Sequence, residues 1–103
     1  MARVFLADCQ PLFNEALEAL IARDGHNEVV GQASTAAQVS ESVVHLKPDL
    51  VVLDADLGLT NRPTLVETIL QDLAETKVIL LAQETDIDLL LLAIRSEIGR
   101  AHV

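Results

Sequence analysis

The 103-residue chain has no tryptophan, no tyrosine and only two aromatic residues, Phe5 and Phe13. Aromatic platforms for stacking bases, flavins or sugars are therefore nearly absent. Positive charge is also scarce: seven Lys and Arg stand against sixteen Asp and Glu, a net charge of −9. That balance disfavours direct binding to nucleic-acid backbones and to anionic membrane surfaces, because few cations are available to displace counterions. A single cysteine, Cys9, excludes an internal disulfide and a zinc site built on paired thiolates. Long apolar runs are missing too. The longest in the second half, residues 89–94, is far short of a membrane span. The run at residues 4–7 meets Asp8 too early to be a signal-peptide core. The expectation is one soluble, cytoplasmic domain without a membrane partner.

What the chain does have is apolar mass. Half of its residues are hydrophobic, enough for a real core and too many for a disordered chain. Four short Val-, Ile- and Leu-rich runs, at 4–7, 29–30, 50–53 and 78–82, do not alternate with polar residues. This suits strands covered on both faces, as in a parallel sheet. Between and after them lie four stretches with helical spacing, at 11–22, 35–46, 63–73 and 86–95. Their predicted inner stripes are Phe13, Ala16, Leu17 and Leu20; then Ala36, Val39, Val43 and Leu46; then Leu65, Val66, Ile69, Leu70 and Leu73; then Leu89, Leu90, Ala93 and Ile94. Pro11 suits a first helical turn, and Thr64 with Glu67 suits a capping box. Strand alternating with helix implies a doubly wound α/β domain with right-handed crossovers. Residues 55–62 read as the longest loop, directly after a strand.

Asp8 falls at the end of the first strand and Asp54 at the end of the third. In open α/β sheets, ligands lie outside the carboxyl ends of strands where the winding reverses. With strand order 2-1-3-4, Asp8 and Asp54 face each other across that crevice, with Asp56 close by. Close carboxylates repel and tend to hold a proton or a hard cation, and Mg²⁺ suits an all-oxygen site. Acidic residues at strand ends also occur simply as solvated loop residues.

Three segments carry a family resemblance. Leu6-Ala7-Asp8-Cys9-Gln10-Pro11-Leu12-Phe13 resembles the opening of a response-regulator receiver domain of the NarL/FixJ type, whose regulators carry a LuxR-type helix-turn-helix. Val29-Val30-Gly31-Gln32-Ala33-Ser34 resembles its second strand. Lys47-Pro48-Asp49-Leu50-Val51-Val52-Leu53-Asp54 resembles the strand that delivers the phosphoacceptor aspartate. The resemblance implies a flavodoxin-like fold and a regulatory domain rather than an enzyme. It would accept a phosphoryl group from a sensor histidine kinase and control an attached DNA-binding domain. It further implies Asp54 as phosphoacceptor, Asp8 as the first acidic residue of the Mg²⁺ pocket, and Asp56 as a metal contact through its backbone carbonyl. Homodimerisation is left open.

The chain departs from that pattern in several places. Cys9 stands where receivers carry a second acidic Mg²⁺ ligand, and is expected here to be a small, semi-buried apolar residue that weakens Mg²⁺ binding. Ala82 stands where they carry a hydroxyl that contacts the phosphoryl group. Gly58 replaces a usual proline, and Asn61-Arg62-Pro63 replaces the usual Asp-Gly. Arg62 is read as a solvated loop residue. His26, His45 and His102 match no ligand spacing, and Asp8-Cys9-Gln10-Pro11 is not a glycine-rich phosphate cradle.

Residues 1–96 are accordingly read as a receiver domain lacking its fifth strand and fifth helix. Residues 97–103, Glu-Ile-Gly-Arg-Ala-His-Val, are read as a non-native tail. That peptide can be encoded by a common sequencing adapter beginning AGATCGGAAGAGC, so it is set aside from functional reasoning. The alternative function is a pseudo-receiver, a module for protein interaction or dimerisation that works without phosphorylation.

Overall fold

In the computed structural model, which describes residues 1–60, 63–82, 92 and 94, four parallel strands form one sheet. The elements in chain order are β1 (Ala2–Ala7), α1 (Pro11–Asp24), β2 (Asn27–Ala33), α2 (Ala36–Leu46), β3 (Leu50–Asp54), α3 (Ala55–Leu59), α4 (Leu65–Asp72) and β4 (Lys77–Leu81). The strand order is β2-β1-β3-β4, the doubly wound, flavodoxin-like arrangement expected from the sequence. Ala7 pairs with Ala33 on one side and Leu53 on the other, so β1 and β3 end side by side.

Side chains alternate across each strand and build two separate cores. Val4, Leu6, Leu50, Val52, Ile79 and Leu81 pack with Leu17 and Ile21 of α1 and with Ile94 on one face. Phe5, Ala7, Val51, Leu53 and Val78 pack with Val39 and Val43 of α2 and with Leu65 and Ile69 of α4 on the other. Both faces of the central strands β1 and β3 are therefore largely dry, which is why these strands read as unbroken apolar runs.

Local chemistry sets the helix ends. Pro11 occupies the first turn of α1, and Gly25 closes it in the left-handed region at φ 74°, its N–H donating to Ile21 O at 3.2 Å. Lys47 closes α2 with φ 46°, its N–H donating to Val43 O at 2.9 Å. Thr64 and Glu67 form the expected capping box at the start of α4.

Three expectations need correction. The segment 55–62 is not simply loop: α3 begins at once after β3, because the Asp54 carboxylate caps it by accepting the Asp56 N–H. Gly58 lets this short helix lie on the sheet, since an added Cβ would come within 2.7 Å of Leu53 Cδ2. The inner stripe of α1 is rotated. Asn14, Leu17 and Ile21 are buried while Ala16 is exposed, because the Asn14 amide reaches inward to donate to Ala33 O at 3.0 Å. On α4, Leu70 faces out and is 49% exposed. The expected helix at 86–95 lies outside the described residues except Leu92 and Ile94, which are helical. Asn61, Arg62 and the tail at 97–103 also lie outside them. Among the described residues, no helix is long and apolar enough to cross a membrane.

Candidate functional site

The winding reverses at β1: the chain leaves it toward β2 on one side and later returns to β3 on the other. The crevice outside the carboxyl ends of these strands is where the fold gathers its polar groups. Asp8 follows β1 directly and donates its N–H to Ala33 O at 3.3 Å. Its Oδ1 accepts the Gln10 N–H at 2.8 Å, a local turn that fixes the carboxylate. The Asn14 amide steadies the same turn by donating to Asp8 O at 3.4 Å.

Asp54 is the last residue of β3. Its Oδ1 accepts the Asp56 N–H at 3.1 Å and its Oδ2 accepts the Cys9 N–H at 3.4 Å. Each oxygen keeps a lone pair free of these two bonds. One donor atom each from Asp8, Cys9 and Asp54 lie within 4.8 Å of one another. They line an open cleft of about 210 Å³, walled by Phe13 on one side and by Leu81 and Ala82 on the other.

The acidic surroundings act on the titratable groups. Partial burial raises the Asp8 carboxyl above its ordinary range; the bond from Gln10 opposes this, and the charges of Asp54 and Asp56 add to it. The Cys9 thiol is pushed up to about 11, first by its hydrogen bond with Asp54, then by desolvation and by the carboxylate charges. A thiol at that value is poorly nucleophilic near neutral pH.

Asp8 and Asp54 thus sit where the sequence places them. Asp56 lines the cleft, but its side chain is exposed and stands outside the donor trio. Its backbone carbonyl accepts the Thr60 hydroxyl. Ala82 lines the cleft and presents only a methyl group. Cys9 is exposed, not semi-buried, because it precedes α1 on a turn that projects over the strand ends. His26 and His45 are exposed and away from the cleft. Asn14 and Thr60 were missed by sequence reasoning. For Asn14 a signal existed: a polar residue three places after Pro11, between apolar positions of a helix.

Residues 4–100 match the family model of the response regulator receiver domain. The chain belongs to that family. A protein-glutamate methylesterase/protein-glutamine glutaminase of Agrobacterium fabrum (strain C58 / ATCC 33970) is 32% identical to it over 71 residues, 69% of this chain and 20% of that protein. An uncharacterized response regulatory protein of Vibrio cholerae serotype O1 is 39% identical over 57 residues, 55% of this chain and 24% of that protein. The chain therefore spans about a fifth to a quarter of these relatives' length. A LuxR-family two-component response regulator from Aurantimonas sp. SI85-9A1 superposes with a TM-score of 0.79 at 23% identity, covering 100% of this chain and 89% of that one. The signal receiver domain of the putative response regulator NarL from Mycobacterium tuberculosis superposes with a TM-score of 0.72 at 23% identity, covering 98% and 80%. These structural likenesses show the fold.

The receiver domain is a regulatory module of two-component systems, and receivers interact with histidine kinases and bind Mg²⁺ at their acidic site. This receiver has that acidic cluster, with carboxylates from Asp8 and Asp54 as hard oxygen donors and Cys9 sulfur as the third, mismatched one. Two carboxylates beside an open cleft fit Mg²⁺, which keeps several waters; the sulfur does not add to that fit.

Proposed function

We propose that this receiver takes a phosphoryl group on Asp54 from a sensor histidine kinase and thereby controls a DNA-binding output domain of the LuxR type. The observation that carries the reading is the pairing of the Asp8 and Asp54 carboxylates at the reversal point of the sheet, beside an open cleft. A carboxylate oxygen of Asp54 attacks phosphorus as the bond to the kinase histidine nitrogen breaks, and the histidine takes a proton from solvent. The two backbone N–H groups from Cys9 and Asp56 hold the carboxylate in place for this attack. Mg²⁺ supplies neutralisation of the charge shared by carboxylate and phosphoryl group. Asp8 and Asp54 would hold it, with the Asp56 carbonyl as a further oxygen. The LuxR-type output is supported by the motif at residues 6–13.

Two residues slow the reaction. Cys9 withholds an oxygen ligand, and Ala82 offers no hydroxyl to the phosphoryl oxygens. Loss of one contact made in the transition state costs on the order of a hundredfold in rate. Cys9→Asp with Ala82→Thr should therefore speed phosphorylation by a small phosphodonor by at least about that factor, read as the mass gain of the intact protein. Asp54→Asn should abolish the gain. If the double substitution brings no acceleration and Asp54→Asn changes nothing, the acceptor reading fails. The same two residues favour the second reading, a pseudo-receiver that docks partners or a second copy without phosphorylation.

A further inference from the structure

We propose that Asn14 is a positioning residue for the crevice: its buried amide fixes the Asp8–Cys9 peptide plane, and through that plane sets both the Asp8 and the Asp54 carboxylates. The proposal rests on the reading of this crevice given above and deepens it by naming what sets its geometry. Asn14 lies on the inner stripe of α1 with Leu17 and Ile21 and is 2% exposed. An apolar residue would fill that place at less cost, since a buried amide must be hydrogen-bonded and Asn is a weak helix former. What the amide adds lies at the strand ends.

Its Nδ2 donates to Ala33 O at 3.0 Å and to Asp8 O at 3.4 Å. Both partners are carbonyl oxygens, so the amide nitrogen, not its oxygen, faces them. Ala33 O already accepts the Asp8 N–H at 3.3 Å, so the end of β2 does not depend on Asn14 for a partner. The Asp8 carbonyl is the group whose orientation Asn14 decides. In a trans peptide the C=O and the following N–H point in opposite directions within one plane. Holding Asp8 O toward Asn14 thus aims the Cys9 N–H the other way, where it donates to Asp54 Oδ2 at 3.4 Å. A second path reaches the other carboxylate. The Asn14 N–H donates to Gln10 O at 3.4 Å, and the Gln10 N–H donates to Asp8 Oδ1 at 2.8 Å. One residue of α1 thereby orders the turn that touches both carboxylates.

The test uses the whole chain, metal-free and with Mg²⁺ added alone, in the wild type, Asn14→Leu, Asn14→Ala and Thr64→Ala. Asn14→Leu keeps the bulk and loses the donations, and Asn14→Ala stands in if Asn14→Leu does not fold. Thr64 bonds to Glu67 and Thr68 at the start of α4, so Thr64→Ala controls for lost stability alone. In the metal-free protein, hydrogen exchange at the Cys9 amide, followed by NMR, should quicken severalfold in the Asn14 variants and keep the wild-type rate in Thr64→Ala. Mg²⁺ affinity should fall on the order of tenfold in the Asn14 variants, the lower end of what losing a ligand's supporting bond costs, and hold in Thr64→Ala. Wild-type exchange or wild-type Mg²⁺ affinity in the Asn14 variants overturns the proposal, and so does an equal change in Thr64→Ala. No Mg²⁺ binding by the wild type overturns it together with the reading on which it rests. Phosphoryl uptake at Asp54, measured in parallel, separates the two ideas. Wild-type uptake with unchanged Asn14 variants defeats only this inference. The expected changes without wild-type uptake defeat only the acceptor reading.

Discussion

Cys9 shows how a residue's neighbours outweigh its exposure. A freely exposed thiol near a basic group would be reactive, but this one faces three carboxylates and is pushed up to about 11. The leading cause is the hydrogen bond with Asp54. Alkylation of Cys9 near neutral pH should therefore be slow, and Asp54→Asn should speed it, by about tenfold for each unit the thiol falls. Timed iodoacetamide labelling with mass detection measures this directly. Equal labelling rates in the two proteins would show that Asp54 does not govern the thiol. The position of Cys9 between Asp8 and the helix was legible in the sequence. Its exposure was not, because burial depends on how the turn leaves the sheet.

At the scale of single elements, caps and inward amides hold the pieces in register. The Thr64 hydroxyl accepts the Glu67 N–H at 3.1 Å and donates to Glu67 Oε1 at 2.9 Å, while the Thr64 N–H donates to the same oxygen at 3.2 Å. Thr64→Ala removes the hydroxyl part of this box and should cost about 1 kcal/mol, read from urea unfolding. Asn14 ties α1 to the ends of β1 and β2 by donating to Asp8 O and Ala33 O. Asn14→Leu keeps the bulk but removes both donations, so a loss of about 1–3 kcal/mol is expected from the same measurement. A change below about 0.3 kcal/mol would mean that other donors satisfy those carbonyls. The capping box could be read from Thr64 and Glu67 alone, since both partners lie within one helical turn. The role of Asn14 could not, because Ala33 is nineteen positions away in sequence.

The whole molecule carries a net charge of −9 and brings three of its acidic side chains to one crevice. That concentration is unfavourable without a cation, and it adds to the partial burial that chiefly raises the Asp8 carboxyl. The folded protein holds the Asp8 proton more tightly than the unfolded chain does. The resulting stability is fully present below the ordinary carboxyl value of 3.8 and is lost as pH rises through the folded value. At neutral pH without divalent cations, Asp8→Asn should therefore raise the melting temperature, since Asn keeps an oxygen for the Gln10 N–H but carries no charge. The advantage should shrink as pH falls, measured by paired thermal melts across the acid range. An advantage that is constant with pH would mean that the charge of Asp8 is not its source. Adding a cation at ten times its dissociation constant should offset the penalty by stabilising the wild type about 1.4 kcal/mol.

The sequence by itself determined the four strands, the helices α1, α2 and α4, the parallel sheet and the strand-end positions of Asp8 and Asp54. These follow from local signals: unbroken apolar runs, helical spacing, Pro11 at a helix start and the Thr64–Glu67 box. Family motifs then made the strand order 2-1-3-4 an expectation that the sheet bears out. Only the tertiary structure decided which face of α1 turns inward, that 55–59 is helix, that Gly58 must be small, and that Cys9 lies open beside Asp54. The face of α1 and the setting of Cys9 depend on contacts between residues distant in the chain, Asn14 with Ala33 and Cys9 with Asp54. Spacing along one segment carries information about its own face and ends. It carries none about the partner that another segment brings to it.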